Sequence, residues 1–321
     1  FDLKKDKSKC VVSKNIKEAL KKFKSKFDNH DITIKDLIQD DDVLDTWFSS
    51  WLWPISVFDG VREPDNEDIN YYYPTSDIVT GPDILFFWIA RMIMSGYYFR
   101  GKKPFNNVYF TGLVRDEKGR KMSKQLGNSP DPIELIENYG ADGVRIGLLF
   151  SAPAGNDLLF DTKLCEQGKN FSNKIWNAFR LINGFEISNE KDQELHEIAA
   201  IKWFNEELKL KISAINDAFD KFKISEALMI TYKLVWDDFC STFLEIVKPK
   251  FGEKISQKTI LEINSLFNKI LAILHPFMPF ISSEIHSKSI HKDQSLEWPK
   301  SSNADNKIIG NFEHVNELIT K

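Results

Sequence analysis

One stretch constrains this chain more than any other. Val108 to Pro132 reads Val-Tyr-Phe-Thr-Gly-Leu-Val-Arg-Asp-Glu-Lys-Gly-Arg-Lys-Met-Ser-Lys-Gln-Leu-Gly-Asn-Ser-Pro-Asp-Pro. Its first seven residues, Val108 to Val114, are mostly β-branched or aromatic, the composition of a buried strand. Arg115 to Gly119 has turn composition. Arg120, Lys121 and Lys124 then gather around Met122 and Ser123. The stretch closes on Asp131, placed to cap a helix that has Pro132 at its first position and Glu134 in its first turn. A buried strand therefore delivers a cationic loop, and a capped helix follows. That arrangement suits an anionic ligand, most simply a polyphosphate.

The flanking segments extend the same pattern. Tyr71 to Val79 reads as a strand. Thr80-Gly81-Pro82-Asp83 turns it into a helix predicted over 84–98, with the apolar stripe Leu85, Trp88, Ile89, Met92 and Ile93. Strand, Gly turn and helix start make half of a nucleotide-binding unit, and the two strands joined by one helix predict a parallel crossover. After Pro132 two helices are expected, 132–139 with Gly140 as its stop and 141–149. Upstream, Cys10 to Val12 is strand-like, and Ser13 is expected to cap a helix from Ile16 to Phe27. That helix turns Ala19, Leu20, Phe23 and Phe27 to one side, and Lys17, Lys21, Lys22, Lys24 and Lys26 cover the rest as a solvated face or an RNA contact. Between these pieces lie three tryptophans within seven residues, Trp47, Trp51 and Trp53. Their spacing fits core packing or a small apolar ligand pocket.

Ser151-Ala-Pro-Ala-Gly-Asn156 breaks the pattern, and a domain boundary is expected near residue 162. Beyond it the chain is nearly all helix, predicted over 164–185 and 195–219. A third stripe runs Leu228, Tyr232, Val235, Phe239, Phe243 and Ile246 to a stop at Pro249. A fourth runs Ile263, Phe267, Ile270 and Leu274 to Pro276. A short helix follows Pro279, and the first turns of another are expected over 312–320. These stripes predict a helical bundle. The fold class expected is therefore α/β, a partial Rossmann-like parallel sheet, followed by an all-α bundle. The expected division is 1–40 as a connecting segment, 41–161 as the α/β part and 162–321 as the bundle.

Composition removes several function classes. The net charge is −4, and acidic and basic residues divide almost evenly about residue 160, so any nucleic-acid surface is a local patch. Cys10, Cys165 and Cys240 lie far apart without a Cys-x-x-Cys pair, which argues against a structural zinc site or a disulfide framework and fits a reducing compartment. No apolar run approaches the ~20 residues of a membrane span. The six histidines are scattered, with no His-x-x-x-His pair on a helix face and no Gly-x-Ser-x-Gly elbow. The chain opens on Phe1 without a start signal, as expected of a piece of something longer.

Lys121-Met122-Ser123-Lys124, followed by Leu126-Gly127-Asn128, resembles the Lys-Met-Ser-Lys-Ser signature loop of class I aminoacyl-tRNA synthetases, with Gln125 in place of the usual final serine. Further strings carry the likeness to the C-terminal half of the valyl members of that class. They include 42–50, 73–83, 87–92, 139–145, 151–157, 173–178, 243–249 and 274–281, and the strings around Trp47 and Trp88 separate the chain from the leucyl and isoleucyl members. The likeness is strong from about 40 to 182, patchy to about 300 and weak before 40. The His-Ile-Gly-His signature of the first half of that fold is not found in the 321 residues; the region around His30-Asp31-Ile32 lacks both the Gly and the second His. The inserted editing domain is not found either.

The resemblance implies a mechanism and a set of site residues. The family activates valine with ATP, supplied with Mg2+, to valyl-adenylate and passes valine to its tRNA. The resemblance implies that Lys121 and Lys124 hold the departing pyrophosphate oxygens, with Met122 and Ser123 shaping the loop. It implies that Gly81 and Asp83 meet the ribose and adenine of ATP, and that Trp47, Trp88 and, more weakly, Ile84 wall the amino-acid pocket. Such a pocket rejects isoleucine by bulk but not isosteric threonine. The bundle is implied to bind the anticodon, with Asn173, Asn177 and Arg180 on one helix face as RNA contacts or as plain solvated polar residues. A monomeric, cytoplasmic enzyme is implied, of which this piece alone is inactive. The alternative is a non-catalytic tRNA-binding accessory module; a third reading, another polyphosphate enzyme such as a nucleotidyltransferase, gives no reason for the bundle.

Overall fold

The computed structural model describes residues 1–43, 45–116, 118–151 and 156–320, without the side chains of Lys7, Glu313 and 315–320. The chain divides into two compact units. The first comprises Phe1–Ile78 and Asp83–Asn107, the second Val79–Pro82 and Val108–Lys321.

In the first unit, β1 (Asp2–Leu3) lies between β2 (Asp6–Cys10) and β3 (Leu37–Ile38) in a small antiparallel sheet. Helix α1 (Ile16–Lys26) covers it, burying Ala19 and Phe23 with Val11, Ile32 and Leu37. The helix is capped by Asn15, whose side chain accepts from the Glu18 N–H at 2.9 Å, not by Ser13. Two lysines of its outer face are tied locally, Lys22 to Val12 O and Lys26 to Cys10 O.

Next come α2 (Thr46–Trp51), α3 (Trp53–Ser56) and α4 (Glu67–Tyr72). Helix α4 corrects the expected strand at Tyr71: Asn66 caps it and Glu67 and Asp68 sit in its first turn. Those two helix-start signals override the strand propensity of the tyrosines. The strand β4 begins only at Thr75 and runs to Thr80. The helix predicted over 84–98 is three pieces in series: a tight turn Pro82–Ile84, a π-helical turn Leu85–Ile89, and α5 (Ala90–Arg100). Ile89 and Met92 of the predicted stripe are buried.

Strand β5 (Phe105–Phe110) pairs with β4. Thr75 N–H donates to Pro104 O and Thr111 N–H to Thr80 O, both 2.9 Å. The two bonds advance together along both strands, as a parallel pair requires. The strand expected over 108–114 is thus displaced and divided. At Thr111 the chain leaves β4, and β6 (Val114–Arg115) pairs in parallel with β7 (Leu158–Leu159) instead.

Helices α6 (Pro132–Tyr139) and α7 (Ala141–Ser151) follow, with Asp131 capping α6 through the Ile133 N–H at 2.8 Å. The break expected at 151–156 falls mostly on 152–155, outside the described residues. The bundle is formed by α8 (Thr162–Asn183), α9 (Leu195–Asp220), α10 (Ile224–Lys233) continuing through a π-helical stretch Leu234–Phe243 into α11 (Leu244–Val247), α12 (Gln257–Leu274) and α13 (Pro279–Lys288). Between them β8 (Ile187–Ser188) and β9 (Ile255–Ser256) make a short parallel pair. Helix α14 (Asn306–Thr320) starts earlier than expected and stacks Phe312 on Trp203 at 4.1 Å. The two successive steps of four in the third stripe, Val235 to Phe239 to Phe243, lie in the π-helical stretch, whose wider turn accommodates them.

The core of the bundle is one large cluster that includes Phe171, Phe204, Phe239, Phe243, Phe267 and Phe277. Helix α7 belongs to it, through Ile146, and it packs tightly on α8. A Cβ on Gly168 would stand 2.5 Å from Gly143 O, so only glycine permits that crossing. Arg145 donates to Pro276 O and Phe277 O beyond the end of α12, at 3.0 and 3.1 Å. Asp142 accepts from the Ile281 N–H at 2.7 Å near the start of α13. Packing therefore runs without interruption across residue 162.

Candidate functional site

The signature loop is a hairpin closed by a single asparagine. Its arms, Val114–Arg115 and Lys121–Met122, are held by an antiparallel bridge between Arg115 and Lys121 and by Met122 N–H donating to Val114 O at 3.0 Å. Asp116 organises the turn. Its carboxylate accepts from the Arg120 N–H (2.8 Å), the Lys118 N–H (3.0 Å) and the Arg120 guanidinium (2.8 and 2.7 Å). Beyond the hairpin, Ser123 caps a single turn Lys124–Leu126 by accepting from the Leu126 N–H at 3.3 Å. Gly127 then reverses the chain with φ +61°, a conformation that favours glycine. That reversal returns Asn128 to the middle of the loop. Its Oδ1 accepts from the Ser123 N–H at 2.9 Å, and its Nδ2 donates to Asp116 Oδ2 at 2.9 Å and to Lys121 O at 3.3 Å.

The result is an internally bonded platform with Lys121 and Lys124 exposed on it. Met122 faces the other way and joins an apolar cluster with Leu158, Phe160, Cys165, Leu135 and Tyr139. It anchors the loop, and Ser123 is its cap. The base of the loop is fixed by Asp157, which accepts from the Leu113 N–H at 3.2 Å and pairs with Arg115. The Asn128 amide, and after it the Arg120 backbone and guanidinium, hold the Asp116 carboxyl far below the usual carboxylate range. Arg115 likewise lowers Asp157. Both settings favour the ionised carboxylate.

Of the other nucleotide candidates, Gly81 directly follows β4, and Thr80 Oγ1 donates to Gly81 O at 3.1 Å. Asp83 and Ile84 are exposed in the tight turn that precedes the π-helical segment. In the first unit Asp45 caps α2 through the Trp47 N–H at 3.0 Å, which fixes the start of the helix that carries Trp47. Around that indole stand Phe87, edge-on at 5.2 Å, Trp88, tilted at 6.1 Å, and the Arg91 guanidinium, 4.0 Å from the ring centroid. Trp47 and Trp88 are both half-buried. The tryptophan trio therefore splits. Trp47 meets Trp88, Trp51 packs edge-on to Phe48, and Trp53 is exposed. Phe87 and Arg91 were not singled out by the sequence reading; their i, i+4 spacing on the segment that carries Trp88 was the available signal.

On α8, Asn173, Asn177 and Arg180 share one exposed face, opposite Phe171, Ile175, Phe179 and Ile182. Asn173 borders a shallow cleft of about 460 Å3 lined by Gly140, Asp142, Lys169, Phe280 and Glu284 among others. Asp116 and Asn128, which close the loop, were likewise not singled out. The sequence signal for them was the Asn at the far end of the signature, five residues beyond Ser123.

Comparison with known proteins agrees with this geometry. Residues 2–161 match the family described as tRNA synthetases class I (I, L, M and V), and residues 201–321 match the anticodon-binding domain of tRNA ligase. A valine–tRNA ligase of Parabacteroides distasonis is 54% identical over 314 residues, covering 96% of this chain and 36% of the relative. One from Christiangramia forsetii is 53% identical over 320 residues, with 98% and 36% covered. The chain thus spans about a third of the length of the relatives it matches. Among solved structures, a LeuRS of Agrobacterium radiobacter in a ternary complex with tRNA and LeuAMS superposes with a TM-score of 0.63 at 19% identity, over 85% of this chain and 34% of that one. A methionyl-tRNA synthetase of Mycobacterium tuberculosis in complex with methionyl-adenylate gives 0.58 at 18% identity, over 80% and 55%. No helix among the described residues is long and apolar enough to cross a membrane. With a signature loop folded as a lysine-bearing platform, parallel strand pairs and a helical bundle, the chain belongs to the class I tRNA synthetases, and the relatives it matches are valine–tRNA ligases.

Proposed function

We propose that this chain is the part of a valine–tRNA ligase that carries the signature loop, one wall of the amino-acid pocket and the anticodon-binding bundle. The observation that carries the proposal is the loop itself: two exposed lysines on a platform fixed by Asn128 and Asp116. In the reaction proposed, a valine carboxylate oxygen attacks the α-phosphorus of ATP in line, and the bond to pyrophosphate breaks. Negative charge grows on the departing oxygens. Lys121 and Lys124 stabilise it, and the rigid loop means that little reorganisation is needed as the charge develops. Gly81 and Asp83 serve the ribose and adenine. Trp47 and Trp88, with Ile84, wall the valine side chain. Mg2+ would accompany ATP as its complex.

In the same reading, residues 1–40 connect, 41–161 form the second half of the catalytic domain and 162–321 bind tRNA. The enzyme is a cytoplasmic monomer. Asn173, Asn177 and Arg180 present donors to RNA, whose unpaired bases such bundles recognise.

Two measurements on the 321-residue chain test the proposal together. Valine-dependent ATP–pyrophosphate exchange is expected to be absent, because the His-Ile-Gly-His signature is not in these residues; exchange would overturn that argument. Binding to valine tRNA is expected to be weak and to fall steeply with salt, as phosphate contacts do. Equal affinity for tRNAs with unrelated anticodons would remove the anticodon assignment and leave an accessory RNA-binding module.

A further inference from the structure

Asn128 lies four residues beyond the last signature lysine, yet the loop is bonded to it from three directions. Oδ1 takes the Ser123 N–H at 2.9 Å, and Nδ2 gives to Asp116 Oδ2 at 2.9 Å and to Lys121 O at 3.3 Å. Lys121 and Ser123 flank Met122, so one amide grips the signature tetrapeptide on both sides of its apolar anchor. Asp116, with a side chain only 12% exposed, is itself fixed by two backbone N–H groups and by Arg120. This engages the Arg120 guanidinium with Asp116, while Lys121 and Lys124 are exposed on the loop.

We propose that Asn128, anchored on Asp116, is a positioning residue that sets the loop in the conformation that presents Lys121 and Lys124 to the phosphates of the nucleotide. The inference rests on the reading of this loop as the pyrophosphate-holding element. The chemistry at position 128 is demanding. The side chain must accept from one backbone N–H while donating to a carboxylate and to a carbonyl. A carboxamide carries both an acceptor oxygen and two donor hydrogens on one planar group. Aspartate keeps the acceptor but sets a second carboxylate against Asp116. Alanine leaves the Ser123 N–H and the Asp116 oxygen without this partner. The acceptor side orders Ser123 and hence the turn that carries Lys124. The donor side orders Lys121 directly, through its carbonyl.

The test separates loop order from chemistry. In the 321-residue chain, trypsin can cut after Arg120, Lys121 and Lys124. Replacing Asn128 by Ala is expected to speed cleavage there about 10-fold, the scale of one lost hydrogen bond to a charged group. Asn128→Asp is expected to speed it at least as much. Cleavage within the bundle and the far-UV circular dichroism should not change. In the full-length enzyme proposed above, Asn128→Ala is expected to lower kcat for ATP–pyrophosphate exchange about 10-fold with the KM for valine unchanged, because the valine pocket is formed by other residues. Lys124→Ala is the benchmark, with a loss on the order of 100-fold. If Lys124→Ala leaves exchange untouched, the loop's assignment falls and the inference falls with it. If Lys124→Ala slows exchange while Asn128→Ala changes neither cleavage nor kcat, the inference alone is overturned. Faster cleavage with an unchanged kcat overturns it too, since loop order then has no bearing on the chemistry.

Discussion

In the bundle, Phe204 stacks on Phe243 at 4.8 Å, Phe239 on Phe243 at 5.6 Å and Phe239 on Phe267 at 5.5 Å, all essentially shielded from solvent. In the signature loop the central residue is an asparagine, and the forces are hydrogen bonds of 2.7–3.3 Å to a carboxylate, a carbonyl and backbone N–H groups. The two regions solve different problems. Burying an aromatic ring stabilises strongly but constrains direction weakly. A hydrogen bond contributes only about 1 kcal/mol net, yet it fixes where each atom points. A bundle that must hold long helices together needs the first; a loop that fixes the direction of two exposed lysines needs the second, and the function proposed above would use both.

The comparison predicts where a mutation is felt. The largest loss of stability is expected in the bundle. Phe239 is fully buried, and Phe239→Ala should cost about 3–5 kcal/mol, enough to shift the urea midpoint of the chain sharply. A shift no larger than that of a loop variant would show that the bundle is not held by its aromatic core.

The aromatic group around Trp47 is an intermediate case, because it has rings but leaves them half-exposed. Trp47→Ala is expected to cost about 1–2 kcal/mol in stability, less than Phe239→Ala. In the full-length enzyme proposed above it should raise the KM for valine about 10-fold, the scale of pocket contacts. Calorimetry and valine titration of ATP–pyrophosphate exchange would separate the two effects. An unchanged KM would return Trp47 to a packing role, with Arg91 and Phe87 as its neighbours.

These differences also explain what could be read from the residues alone. The bundle was legible because burial repeats along a helix: the stripe from Leu228 to Ile246 names the residues that prove buried or half-buried. Helix α6 was legible because Asp131 and Pro132 act within one turn. What failed depends on partners distant in sequence or on competition between local signals. Tyr71 and Tyr72 have strand propensity, but the cap at Asn66 draws them into a helix. The strand expected at Val108 is divided because the chain changes partner, from Thr80 to the segment around Asp157. Ser13 and Asn15 are both good caps, and only the backbone path selects Asn15. In the site, the lysines were visible as a motif. Asn128 was visible as the end of that motif, but its bonding role depends on the reversal at Gly127 that carries it back to Asp116.

The smallest effect expected concerns a carboxylate whose setting is opposite to that of Asp116. In the bundle, Lys211 stands 2.9 Å from Glu207 and 3.5 Å from Asp238. Burial pushes Asp238 up to about 6, and the attraction of Lys211 only partly opposes it. A carboxyl whose folded pKa is raised adds stability that is fully present below its unfolded value, about pH 4, and is lost as pH rises through about 6. Asp238→Asn removes that titration. The variant is expected to gain at most about 2 kcal/mol on the wild type at pH 7.5 relative to pH 4.5, because the folded value of about 6 already contains the attraction to Lys211 and the difference follows from linkage between about pH 4.5 and 6. Denaturation midpoints of both chains at the two pH values measure it. In the loop, where the Asn128 amide and Arg120 hold Asp116 ionised, no such dependence is expected over this range. A wild-type-to-variant difference at Asp238 that is the same at both pH values would mean that its carboxyl is as well satisfied as that of Asp116, and the contrast between a core that disfavours charge and a loop built around it would fail at that residue.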